Sequence, residues 1–247
     1  MWSRIPIPEA ASYGVAVLAV LIPSASTVAA RLHTRAGALA RVPFARVHAA
    51  VLAVVTAWGF AVLPSSPLLA PGRAFGVTAV ALGAVIGAGT FALDRHLLRR
   101  ARGTPRPRAR PTAPLSLGRT TAGWRPAPGT AGGVDLPALV VAGALEEVLF
   151  RGFLLDLSLR LPGRVAPAAA VAAGIGVFAL GHVAFGWREV AAKLLLGTAA
   201  LAAVFATGSV LAAVAAHVSF NVRVWAAWRE RGARMSPVER PAAPWGR

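Results

Sequence analysis

Cysteine is absent from the 247-residue sequence, lysine occurs once (Lys193), and only nine residues are acidic. Without thiols the chain can build neither disulfides nor thiolate metal sites. The period-2 alternation of an outer-membrane β-barrel is missing too, so any membrane crossing falls to helices. Scarce acid set against 26 basic residues leaves a net charge of +17. Such a balance suggests nucleic acid at first sight. The basic residues, however, are nearly all arginines gathered in segments between apolar runs, which is the positive-inside pattern of membrane proteins. Their expected contact is anionic lipid headgroups, with no nucleic acid involved.

Hydrophobic residues make up 56% of the chain. They form runs able to cross a ~30 Å hydrocarbon core, which takes ~20 residues of helix. The expected fold is all-α, a polytopic transmembrane bundle of about seven membrane helices. Residues 1–94 form a three-helix membrane region with runs at Ala11–Ala30, Val47–Ala70 (ending as helix near Leu63) and Ala74–Leu93. Arg4 alone precedes the first run, whereas Arg31, Arg35, Arg41 and Arg46 follow it. That asymmetry predicts a retained helix with the N-terminus outside, not a cleaved signal peptide. In the third run, Gly83 and Gly87 are spaced for close helix approach. Residues 95–133, rich in Arg and Pro and without apolar periodicity, read as a cytoplasmic linker. Residues 134–228 hold a four-helix core: Val134–Leu155, Val165 to about Trp187, Val190–Thr207 and Ser209–Trp228. Arg188, Glu189 and Lys193 mark a cytoplasmic edge, and residues 229–247 are a basic cytoplasmic tail. Apart from Arg160 and Arg164, every strongly basic segment then lies on the cytoplasmic side of the plasma membrane.

Against this background Glu146, Glu147 and Arg151 crowd three charges into six residues of an apolar helix. Each would cost roughly 2.5–3.5 kcal/mol at the centre of a membrane helix unless paired or put to use within a bundle. Glu147 and Arg151, four apart, share a face and can neutralise each other. Glu146 points about 100° away from Glu147 and must look elsewhere, which makes it a candidate general base. An ion-pair cluster that only locks helix packing is the alternative. Of the five histidines, His33, His48 and His96 lie beside Arg clusters at membrane edges and need no functional explanation. His182 and His217 fall within apolar runs, each with a companion one turn away: Phe178 before His182, and Asn221 after His217.

Glu146-Glu147-xxx-Arg151, Phe178-xxx-His182 and His217-xxx-Asn221, in that order on separate helices, resemble the three-motif signature of the CPBP family. These are intramembrane peptidases related to the CAAX-prenyl endopeptidase and to Abi-like bacteriocin-immunity proteins. The resemblance covers about Val134 to Trp228. It implies that Glu146 and His182 activate a water and that His217 and Asn221 hold the oxyanion. Glu147, Arg151 and Phe178 would be structural support. It further implies a membrane protein or lipidated peptide as substrate. A metal-free site is the favoured version. The same Glu146, His182 and His217 could instead ligate Zn²⁺ with an open fourth position, although no His-Glu-xx-His is present. Two other readings remain at this stage. One is a catalytically silent scaffold or immunity protein, which could have dispensed with Glu146 or His182. The other is a proton-relay transporter, for which no inverted repeat is visible.

Overall fold

The computed structural model describes residues 14, 17, 18, 21, 44–63, 66–69, 76–102, 135–183 and 186–234. They form α1 (Phe44–Val62), a 3₁₀ turn at Pro67–Leu69, α2 (Gly76–Arg102) and α3 (Leu136–Glu147). A π-helical stretch, Val148–Leu154, carries α3 without a break into α4 (Leu155–Leu159). Then come α5 (Val165–Leu180), α6 (Trp187–Thr207) and α7 (Val210–Arg234). Among the described residues there is no strand. Four stretches are long and apolar enough to cross a membrane: Ala45–Val62, Gly76–Leu97, Trp187–Thr207 and Val210–Ala227. The run at Ala11–Ala30 and most of the 95–133 linker lie outside the described residues.

Three sequence expectations change. The linker was expected from Arg95, yet α2 continues to Arg102, since nothing before Gly103 breaks a helix. The run holding Phe178 and His182 was expected to stay helical to about Trp187, but α5 ends at Leu180. Gly181 caps it, and the His182 ring bonds back to the Phe178 carbonyl at 3.1 Å, taking up one of the orphan acceptors of the last turn. His182 therefore sits in the turn after α5 and not on its face. Third, Lys193, expected at a cytoplasmic edge, does not face outward. It is buried on α6 in phase with Leu196, Gly197 and Ala200.

The helix starts follow local chemistry. Asp135 caps α3 by accepting from the Ala138 N–H, with Pro137 in the first turn, where its missing donor costs nothing. Across the bundle, the Arg46 guanidinium pairs with Asp135 and holds its carboxyl below the usual carboxylate range. That pair brings the starts of α1 and α3 to the same end. Gly208, at φ 67°, supplies the left-handed cap that lets α6 turn directly into α7. Exposed Val54, Val77, Val85 and Phe205 give the bundle an apolar exterior.

α2 packs closely on α7. A Cβ built on Gly83 would lie 2.1 Å from the Ala212 carbonyl oxygen, and one on Gly87 would lie 2.0 Å from that of Ala216. The Gly83-xxx-Gly87 spacing thus serves a contact within the chain. Ser219 Oγ adds a donation to the Ala84 carbonyl at 3.0 Å in the same seam. Because a backbone carbonyl cannot step aside, Gly87→Ala should push the helices apart. The expected loss is near or above the upper end of the about 1–3 kcal/mol typical of overpacking. Gly89→Ala, where a Cβ meets nothing within 4 Å, should be neutral or stabilising. Equal melting temperatures for the two variants in detergent would contradict this packing.

Candidate active site

The widened π turn begins directly after the two glutamates. Leu149 through Phe153 are all buried, so this part of the helix is surrounded on every side. A π segment shifts the side chains that follow it relative to α spacing. Here it seats the Arg151 guanidinium 4.1 Å above the Phe178 ring. Arg151 Nη1 also reaches Glu147 Oε1 at 3.3 Å and Oε2 at 3.2 Å. Both partners are enclosed, Glu147 at 0% and Arg151 at 2% exposure. Room for the guanidinium comes from α6, where a Cβ on Gly197 would stand 2.6 Å from Arg151 Nη2.

His217 links the two glutamates. Its Nδ1 lies 2.8 Å from Glu147 Oε1, and its Nε2 lies 3.8 Å from Glu146 Oε2. Since a carboxylate only accepts, Nδ1 carries a proton. Nε2 also meets Lys193 Nζ at 3.0 Å. The other oxygen of Glu146 is taken by His48 Nε2 at 2.9 Å. Phe178 lies at the middle of the cluster, edge-on to Phe150, His182 and His217 at centroid distances of 5.4, 5.6 and 5.8 Å.

Residues 134–223 match the family model described as type II CAAX prenyl endopeptidase Rce1-like. The match spans 90 of the 247 residues. No curated protein and no solved structure matches the chain. The matched stretch runs from the start of α3 past Asn221, so it contains all three sequence motifs, but it leaves out α1 and with it His48.

Of the residues singled out in the sequence, the structure brings Glu146, Glu147, Arg151, Phe178 and His217 into one contiguous cluster. His182 joins through the Phe178 ring and is near enough to Glu146 for their charges to interact. Its Nδ1 donates to the Phe178 carbonyl, so the acceptor lone pair resides on Nε2. Asn221 is anchored differently. Its Nδ2 donates to the Leu139 carbonyl at 3.1 Å, against the Gly143 Cα on α3. Two residues that the sequence reading set aside belong to the cluster, His48 and Lys193.

Proposed function

We propose that the chain is an intramembrane endopeptidase of the plasma membrane, cleaving membrane-associated, CAAX-like protein substrates with a water activated by Glu146 and His182. The observation that carries this reading is a carboxylate flanked by imidazoles inside an apolar bundle. Glu146 is hydrogen-bonded to His48, faces His217, and lies within charge range of His182. In this mechanism Glu146 takes a proton from water, aided by the acceptor Nε2 of His182, and the hydroxide adds to the scissile carbonyl carbon. The oxyanion falls to Asn221 and His217. When the C–N bond breaks, the proton passes from Glu146 to the leaving amine, and a carboxylic acid is the other product. A seventh membrane helix within Ala11–Ala30, an outside N-terminus and a cytoplasmic C-terminus complete the picture, with the Arg-rich segments on anionic lipid.

A Zn²⁺ version fits the residues poorly. The Nδ1 donation of His217 to Glu147 would suit a metal ligand, but the Nε2 that would have to ligate is met by Lys193 at 3.0 Å. That contact leaves no free Nε2 lone pair for a cation, whichever of the two nitrogens holds the shared proton. Among the described residues no set of three His, Cys, Asp or Glu is arranged to hold a metal ion. In proteoliposomes, the wild-type protein should therefore cleave an internally quenched, farnesylated CAAX peptide, and strong chelators should leave the rate unchanged. Purified protein should contain far less than one Zn²⁺ per chain. Stoichiometric zinc, with activity lost on chelation and restored by adding it back, would overturn the metal-free mechanism.

A further inference from the structure

We infer that Lys193 is a positioning residue of this site, setting whether Nε2 of His217 carries a proton in addition to Nδ1 and holding that ring between the two glutamates. The inference rests on the peptidase reading and refines its oxyanion half.

Lys193 stands alone in its residue type: every other basic side chain except the histidines is an arginine. Most arginines gather between the apolar runs, whereas Lys193, like Arg151, is buried inside the bundle, at 6% exposure. Its Nζ lies 3.0 Å from His217 Nε2 and 5.1 Å from the Phe220 ring centroid. Glu146, Glu147 and Arg151 act on it from the α3–π helix, and Glu189 from its own helix. Asp94 of α2 and His182 lie within charge range too. A buried ammonium is costly unless it is paired and hydrogen-bonded, and this one is satisfied by the residue expected to hold the oxyanion.

Counting protons narrows what the contact can be. His217 Nδ1 must donate, because Glu147 only accepts. The Nζ–Nε2 contact then holds one proton between two nitrogens. In one arrangement the Lys193 ammonium donates to the Nε2 lone pair. In the other, Nε2–H donates to a neutral Lys193 amine. Only the second gives His217 an N–H at Nε2 with which to meet an oxyanion. Passing from the first to the second breaks an N–H bond at Nζ and forms one at Nε2, with no net charge change. The resulting imidazolium lies between Glu147 and Glu146. Arginine could not take this part, since its guanidinium does not give up a proton.

The test uses the full-length protein in proteoliposomes with Lys193→Met and Lys193→Arg. Ring-¹⁵N histidine labelling, with His217 assigned by its loss in His217→Gln, reads the two nitrogens directly. Selective ¹³Cε-lysine labelling gives a single side-chain signal from this chain. In Lys193→Met, His217 Nε2 should revert to an ordinary unprotonated ring nitrogen, and His217→Gln should shift the lysine signal. On the farnesylated CAAX peptide, Lys193→Met should lower kcat about a hundredfold, in the range for one oxyanion donor, with KM nearly unchanged. Lys193→Arg should fold but fail to restore kcat. Two results would each overturn the inference: His217 ¹⁵N shifts unmoved by Lys193→Met, or Lys193→Arg restoring the wild-type kcat. Should wild-type protein cleave nothing, the peptidase reading fails, and the spectra still decide the Lys193–His217 contact.

Discussion

Glu147→Gln is expected to destabilise the protein by roughly 3–5 kcal/mol, the range for a broken buried ion pair, whereas Glu146→Gln should leave melting within about 1 kcal/mol of wild type and abolish cleavage. The adjacent carboxylates differ in what depends on them. Glu147 is fully enclosed and receives both Arg151 Nη1 and His217 Nδ1. A glutamine there keeps one acceptor but turns an NH₂ group toward donors, leaving the Arg151 charge without a counter-ion. Arg151 Nη2 already has no hydrogen-bond partner, so the guanidinium has nowhere else to turn. Glu146 instead receives His48, and a glutamine carbonyl can accept the same bond while losing the basicity needed to take a proton from water. Replacing both Glu147 and Arg151 with leucine should recover part of the stability, because an apolar pair can stand in for a buried ionic one. It should not recover activity, since His217 Nδ1 then loses its acceptor. Melting in detergent alongside peptide cleavage distinguishes these outcomes. A stable but inactive Glu147→Gln, together with a fully active Glu146→Gln, would mean that the two roles are reversed.

How far these relations were legible in the sequence depends on what kind of signal carried them. The Glu147–Arg151 pair follows from a four-residue spacing, and the pair is kept although Arg151 lies within the π turn that begins at Val148. Helix existence was plain from apolar runs, which also placed the α6–α7 break between Thr207 and Ser209. The end of α5 was not, because the residues after Leu180 are nearly as apolar as those before it. There the boundary is set by a histidine ring turned back onto a carbonyl. The contacts of His48 and Lys193 escaped the sequence for a shared reason. Charge near an apolar run was read as membrane edge, although helical phase tells a different story. His48 lies in phase with buried Leu52, Val55 and Gly59, and Lys193 with Leu196, Gly197 and Ala200. In helices apolar all round, polarity contrast cannot reveal the inward face. The small residues at Gly59, Gly197 and Ala200 were the available clue, since close packing between membrane helices selects them.

Gly143→Ala should reproduce the loss caused by Asn221→Ala, about 10²-fold in kcat for an oxyanion donor, with little change in KM or melting. Gly143 carries no chemistry, and its importance lies in what it leaves room for. A Cβ there would stand 2.8 Å from Asn221 Nδ2 and 3.3 Å from His217 Cδ2. The nearer atom ends a rotatable side chain, so the fold can absorb the methyl by swinging the amide aside. Doing so breaks the bond from Nδ2 to the Leu139 carbonyl that orients Asn221. At Gly87, by contrast, the obstacle is backbone and stability suffers. At Gly143 it is a side-chain tip, and turnover should suffer instead. The two substitutions then act on one group, so the double variant should be little worse than either single one, a coupling expected of residues in contact. Strictly additive losses would show that Gly143 works through something other than Asn221. A Gly143→Ala variant with wild-type kcat would show that the position of the Asn221 amide is not critical to turnover.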